Sequence, residues 1–200
     1  MVIPLAKTAY EDPATRWAWR RTAIFRVCSS LLSLASFVAW LYAVVMTPVW
    51  TLWILFPALI VLIGIALRTL VNVLGLASLR RILKVYPWQA YPDAATIAKN
   101  GTTRFTIPDP DRPEKQISLK WGDWLGSGVT FWVREGKKGN VGEIWFAGDP
   151  RFLGVIAVSG PRRLISVAQP EAVNDQMSAR KRGVSPEARE RAKAAGARVG

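Results

Sequence analysis

Residues 27–67 hold no Asp, Glu, Lys or Arg, an uncharged run of 41 positions. As one helix such a run would extend about 60 Å at about 1.5 Å per residue. A bilayer core is about 30 Å thick and takes about 20 residues. The run therefore reads as two spans. The break falls at Thr47-Pro48, because proline suits a first helical turn and threonine suits an N-cap. The spans are expected at about 28–46 and 49–67, with the second helix extended to about Lys84 before Tyr86-Pro87-Trp88 ends it. A buried soluble hairpin would need polar helix faces, and neither segment offers one.

The flanks fit a membrane. Trp40, Tyr42, Trp50 and Trp53 cluster about the break, and Trp17 and Trp19 precede the first span. They read as interfacial aromatics at the two membrane surfaces. Arg16, Arg20, Arg21 and Arg26 lie before the first span, and Arg68, Arg80, Arg81 and Lys84 follow the second, while the break is uncharged. The positive-inside rule then predicts a multi-pass protein of the cell membrane with both termini cytoplasmic. These cations account for part of the net charge of +13 and are expected to attract anionic lipid headgroups. The first apolar run starts too late and runs too long for a cleaved signal peptide. Pro57 is expected to kink the second span. Ala35, Ala39 and Ala43 make a small-residue stripe that permits close helix packing. Packing within the hairpin is the expected use, and homo-oligomerisation is the alternative.

After residue 85 the composition changes. Asp12-Pro13 marks the start of the first helix. The region 86–170 is expected to be a small cytoplasmic β domain, an antiparallel meander or barrel, giving an α+β membrane protein overall. Residues 93–99 suggest a short helix. Strand-like runs follow at 104–107, 115–121, 129–134, 143–147, 152–158 and 164–167, with turn chemistry at 148–151 and 159–162. Pairing 129–134 with 141–146 as a hairpin places Ile144 and Phe146 on a core face and Trp132 and Trp145 on the other. Two tryptophans there need a cover, and a protein partner, the membrane or the 94–99 helix could supply it. Residues 171–200 read as a basic, largely disordered tail. Residues 188–195 suit a helix but lack an apolar stripe for docking.

Catalytic constellations are missing from the sequence. There is no histidine, which removes His bases and His metal ligands. One cysteine, Cys28, cannot form an intramolecular disulfide, and within a span it is expected to pack. Gly136-Lys137-Lys138-Gly139 lacks the Walker ending. Gly126-Ser127-Gly128 lacks a triad. Asp123, Glu143 and Asp149 are the acids that could meet in a cryptic carboxylate site. No cofactor is expected, and the chain reads as a non-enzyme. Arg68 near the inner membrane edge is expected to snorkel to phosphates, a role in conduction being the alternative.

Leu79-Arg80-Arg81-x-Leu83, Tyr86-Pro87-Trp88-Gln89-x-Tyr91-Pro92 and Trp145-Phe146-Ala147-Gly148-Asp149-Pro150-Arg151-Phe152, after two close spans, resemble a class of bacterial two-span integral membrane proteins with a small cytoplasmic β domain. The resemblance covers residues 15–170 and implies no activity. A looser similarity is to two-span proteins with a bacterial pleckstrin-homology-like domain, which a long C-terminal helix closes. The expected function is a membrane-anchored scaffold that binds an unknown protein partner through the β domain, with Trp132 and Trp145 as the partner face. An oligomeric channel or transport component, and an enzyme, are the alternatives. Nucleic-acid binding by the basic residues 180–198 ranks below them.

Overall fold

The computed structural model describes residues 6–92, 94–97, 103–121, 143–158, 161–168 and 184–197. Among these residues, two 34-residue helices, α1 (Pro13–Met46) and α2 (Leu52–Val85), precede seven antiparallel strands and a short helix, α3 (Pro186–Ala194). The layout is α+β, with both helices long and apolar enough to cross a membrane.

Helix α1 starts where Asp12-Pro13 predicts. The Asp12 carboxylate accepts from Thr15 N at 2.9 Å and Ala14 N at 3.3 Å, satisfying amides that a helix start leaves without intrahelical acceptors. The expected cap at Thr47 is not formed: its Oγ1 donates to Ala43 O, four residues back at 2.7 Å. The hydroxyl thus closes α1 rather than opening α2. A 3-10 turn, Val49–Thr51, leads into α2 instead, and Pro57 lies inside α2.

The chain divides into two compact units, Arg20–Ala77 and the sequence on either side of it. Within Arg20–Ala77 the helices pack as an antiparallel pair. Arg26, Ser29, Ser33, Ser36 and Trp40 on α1 turn inward, as do Leu55, Leu62, Ala66, Thr69 and Leu76 on α2. This three-and-four spacing is that of a left-handed helix pair. Ser33 is 5% exposed. Its neighbours Ala35 and Ala39 are exposed and Ala43 is half-buried, so the seam follows the serines rather than the expected alanine stripe. The reason is phase: the seam steps through 26, 29, 33, 36 and 40, and positions 35 and 39 fall beside it. Cys28 is also exposed rather than packed.

The other unit is built on one seven-stranded antiparallel sheet: β1 (Gln89–Pro92), β2 (Ala95–Ile97), β3 (Thr103–Asp109), β4 (Arg112–Trp121), β5 (Glu143–Asp149), β6 (Leu153–Val158) and β7 (Arg162–Ala168). The order is β1-β5-β6-β7-β4-β3-β2. Strand β4 pairs with β3 along most of its length and with β7 at Lys120 and Trp121. Phe105 and Ile107 of β3 and Ile117 and Leu119 of β4 share a core with Ile144, Phe146, Ile156 and Val167 from the other strands. The β3–β4 arm therefore packs against one face of the β5–β6–β7 strands. Among the described residues no ladder joins β1 to β2 at the ends of the order.

Period-two alternation sends Trp145, Ala147, Val155 and Ala157 to the opposite face. There they bury Leu79, Ile82 and Leu83 of α2, Ala9 and Ala18 of the N-terminal segment, and Ala195. Full burial of each such leucine or isoleucine contributes about 2 kcal/mol. The core therefore draws on chain well outside 86–170.

Three expectations are corrected here. The suggested helix at 93–99 is strand β2, because residues 95–97 pair with β3 and Ala94 O accepts from Thr106 N at 2.8 Å. The proposed hairpin between 129–134 and 141–146 is excluded along 143–146, since those residues pair with β1 on one edge and β6 on the other. Its first half lies outside the described residues. The tail helix does dock: Ala188 and Ala192 are buried with Phe152 and Val184. A stripe of alanines spaced by one turn suffices, because small side chains allow close approach without a wide apolar face. Ser185 caps α3 by accepting from Ala188 N at 3.3 Å.

Candidate functional site

Three groups of polar and aromatic residues stand out. The first lies in Arg20–Ala77. Arg26 Nη1 donates to Asn72 O at 2.9 Å, and the Cβ that Gly75 lacks would lie 3.6 Å from that same nitrogen. Trp40 Nε1 donates to Leu55 O at 3.1 Å, and its ring stacks on Phe37 at 6.2 Å. Two expected interfacial residues thus tie α1 to α2 through backbone carbonyls. Tyr42, Trp50 and Trp53 are exposed. Arg68 is half-buried.

The second group is at the helix ends in the sheet-bearing unit. Trp88 Nε1 donates to Thr15 Oγ1 at 2.9 Å, and that hydroxyl donates to Asp12 Oδ2 at 2.7 Å. Ala9 N donates to Tyr86 O at 2.8 Å. The Tyr86-Pro87-Trp88 motif therefore anchors the N-terminal segment as well as ending α2. Tyr10 and Trp19 meet edge to face at 6.2 Å. Arg80 lies over both rings, 5.4 Å from Tyr10 and 5.3 Å from Trp19, and Lys84 is 5.8 Å from Tyr10. Arg16, Arg81 and Trp17 are exposed in the same unit, and Arg20 and Arg21 are exposed in the hairpin.

The third group joins two turns. Asp109-Pro110-Asp111 and Asp149-Pro150-Arg151 each begin with an aspartate that accepts the backbone amide two residues on, at 3.1 and 3.0 Å. This Asx geometry is why Asp-Pro suits both turns. Arg151, 3% exposed, holds Asp149 through Nε at 2.9 Å and Nη2 at 2.8 Å. Its Nη1 bonds Asp111 and lies 3.9 Å from Asp109. Burial alone would lower the Arg151 pKa, but the hydrogen bonds and charges of Asp149 and Asp111 outweigh it and the net shift is upward. Tyr86 is pushed up to about 12, by burial first and then by the charge of Asp149, against smaller opposing effects of Arg191 and Arg151. Burial and Asp149 raise Tyr91 as well.

The residues expected to carry function fare unevenly. Trp145 does not present a partner face: it is 1% exposed, 6.1 Å from the Trp88 ring. It is covered from within, by the helix ends and the N-terminal segment. Trp132 lies outside the described residues, as does Asp123. Glu143 and Asp149 stand at opposite ends of β5, about 20 Å apart at strand rise, so they do not form a carboxylate pair. Among the described residues no group of three or more His, Cys, Asp or Glu is placed to hold a metal. The Arg151 bridge between turns was missed in sequence, although the repeated Asp-Pro was visible. The ring platform under Arg80 needed residues 70 positions apart and had no local signal. Compared with protein-family models, with curated proteins and with solved structures, the chain matches none.

Proposed function

We propose that the chain is an integral protein of the cell membrane that crosses the bilayer twice, keeps both termini in the cytoplasm, and acts as a scaffold by holding its sheet-bearing unit at the membrane surface for a protein partner. One observation carries the membrane reading. The outward side chains of both helices are apolar along the hairpin, from Ile24, Phe25, Leu31 and Leu32 to Ile60, Val61, Leu70 and Leu74, and they are exposed. A water-facing helix pair would not leave so much apolar surface uncovered. The cations flanking the helices support the orientation.

The test uses two single-cysteine forms built on Cys28→Ser, one with Thr51→Cys in the turn and one with Ser185→Cys at the α3 cap. A membrane-impermeant maleimide should label the first in intact cells and the second after permeabilisation. Release of the protein by alkaline carbonate, or labelling of both sites from outside, would refute the reading.

A second reading is that hairpins associate into an oligomeric channel or transport component. The exposure of Ala35 and Ala39 favours it, because small residues on a lateral face suit close helix contact in lipid. Disulfide crosslinking of Ala39→Cys to a dimer, but not of Leu32→Cys, would support it.

A further inference from the structure

We infer that Arg80, over the rings of Tyr10 and Trp19, and Lys84, over that of Tyr10, form a binding site for the phosphate of an anionic lipid headgroup. The inference rests on the membrane reading above and gives it a specific lipid contact.

Arg80 and Lys84 are four residues apart on α2, and such like charges repel on one helix face. A folded chain would ordinarily set an acid beside them. Among the described residues neither has a carboxylate or a hydrogen-bond acceptor; Arg80 meets the rings of Tyr10 and Trp19, and Lys84 that of Tyr10. The ring faces are negative and hold the cations in place, but they take up none of the N–H donors. The guanidinium thus lies over the two rings while its N–H donors remain able to grip phosphate oxygens in a fork. Glu11, the nearest acid in sequence to Tyr10, accepts instead from Lys7 N at 3.1 Å. Both cations are exposed. Arg80 follows Leu74, the last strongly exposed apolar residue of α2, by six positions, which suits a headgroup better than a dissolved phosphate.

The experiment titrates the full chain in dodecyl maltoside with dioleoylphosphatidylglycerol, using dioleoylphosphatidylcholine as the uncharged comparison and native mass spectrometry as the readout. Wild type should prefer phosphatidylglycerol. Arg80→Gln with Lys84→Gln should weaken that binding about thirtyfold, the weight of two cations near a membrane surface, and Lys84→Gln alone about fivefold. Tyr10→Leu, which keeps both charges, should also weaken it. Arg112→Gln with Lys115→Gln, an equal charge loss on exposed β4, should not. Equal losses in the two double variants, or none at Arg80 and Lys84, would overturn the site. Inorganic phosphate competing as well as the lipid would overturn the assignment to a headgroup. Alkaline extraction of the same membranes separates the two readings: retained protein without lipid preference sinks this site alone, and released protein sinks both.

Discussion

Replacing Arg151 by Met should destabilise the sheet-bearing unit more than any surface change. The side chain is 3% exposed and engages Asp149 through two hydrogen bonds, with Asp111 on its third nitrogen. Methionine fills much of the same volume but leaves Asp149, itself 6% exposed, as a buried carboxylate without a counter-charge. Removing one partner of a buried pair costs about 3–5 kcal/mol. For a chain of this size each kcal/mol is worth about 2–4 °C, so the melting temperature should fall by about 6–20 °C. The assay is thermal melting of the full chain in detergent, followed by near-ultraviolet circular dichroism. The double variant Arg151→Met, Asp149→Asn is the decisive comparison. Asparagine keeps an oxygen for the turn amide and removes the stranded charge, so the double variant should recover part of the loss. If the single variant melts within 2 °C of wild type, or the double is worse by the simple sum, the clamp does not hold the turns as argued.

Gly154→Ala should cost about 1–3 kcal/mol, because the added Cβ would meet the Phe146 ring at 2.3 Å; the same melt reads it. Tyr86→Phe should be neutral or stabilising by about 1 kcal/mol, since the buried hydroxyl has no hydrogen-bond partner among the described residues. Its pH signature is separate. With the folded pKa raised to about 12 above an ordinary 10, the stability from protonated Tyr86 is whole below pH 10 and is lost as pH rises from 10 through 12. Denaturant melts at pH 9 and 11 should show a smaller fall for the phenylalanine variant. Ala192→Glu, at a position 1% exposed, should undock α3 and open Arg189, Arg191 and Lys193 to trypsin in limited proteolysis.

Legibility followed the range of the interactions. The helix pair was plain because 41 uncharged residues and an Asp-Pro cap are local signals. Strand faces were readable for the same reason: alternation alone assigned Ile144 and Phe146 to one side and Trp145 to the other, as found. Partners were not readable. Strand β5 lies beside β1, more than fifty positions earlier, and nothing in either segment names the other. The docking face of α3 carries no hydrophobic bulk to mark it in sequence, because Ala188 and Ala192 dock by close approach alone. The actual cover of Trp145, residues 9–19 and 78–88, is not among the expected ones, because in sequence those residues belong to the hairpin's flanks and not to the β region. The Arg80 platform likewise joins Tyr10 to α2 through the tertiary fold.

The core that buries Trp145 has consequences for how the protein is made. Ala9 and Ala195 belong to the same cluster, so the first and last described stretches of this unit meet. During synthesis the early segment can meet Tyr86 and Trp88 once α2 has emerged, but it cannot complete this cluster until residue 195 has followed. Such long sequence separation is slow to close, and the part of the tryptophan side that Ala195 covers stays open meanwhile. This cluster therefore closes on Ala195, and a chain halted before it would leave the ribosome with its hairpin complete and this corner of the sheet unsealed.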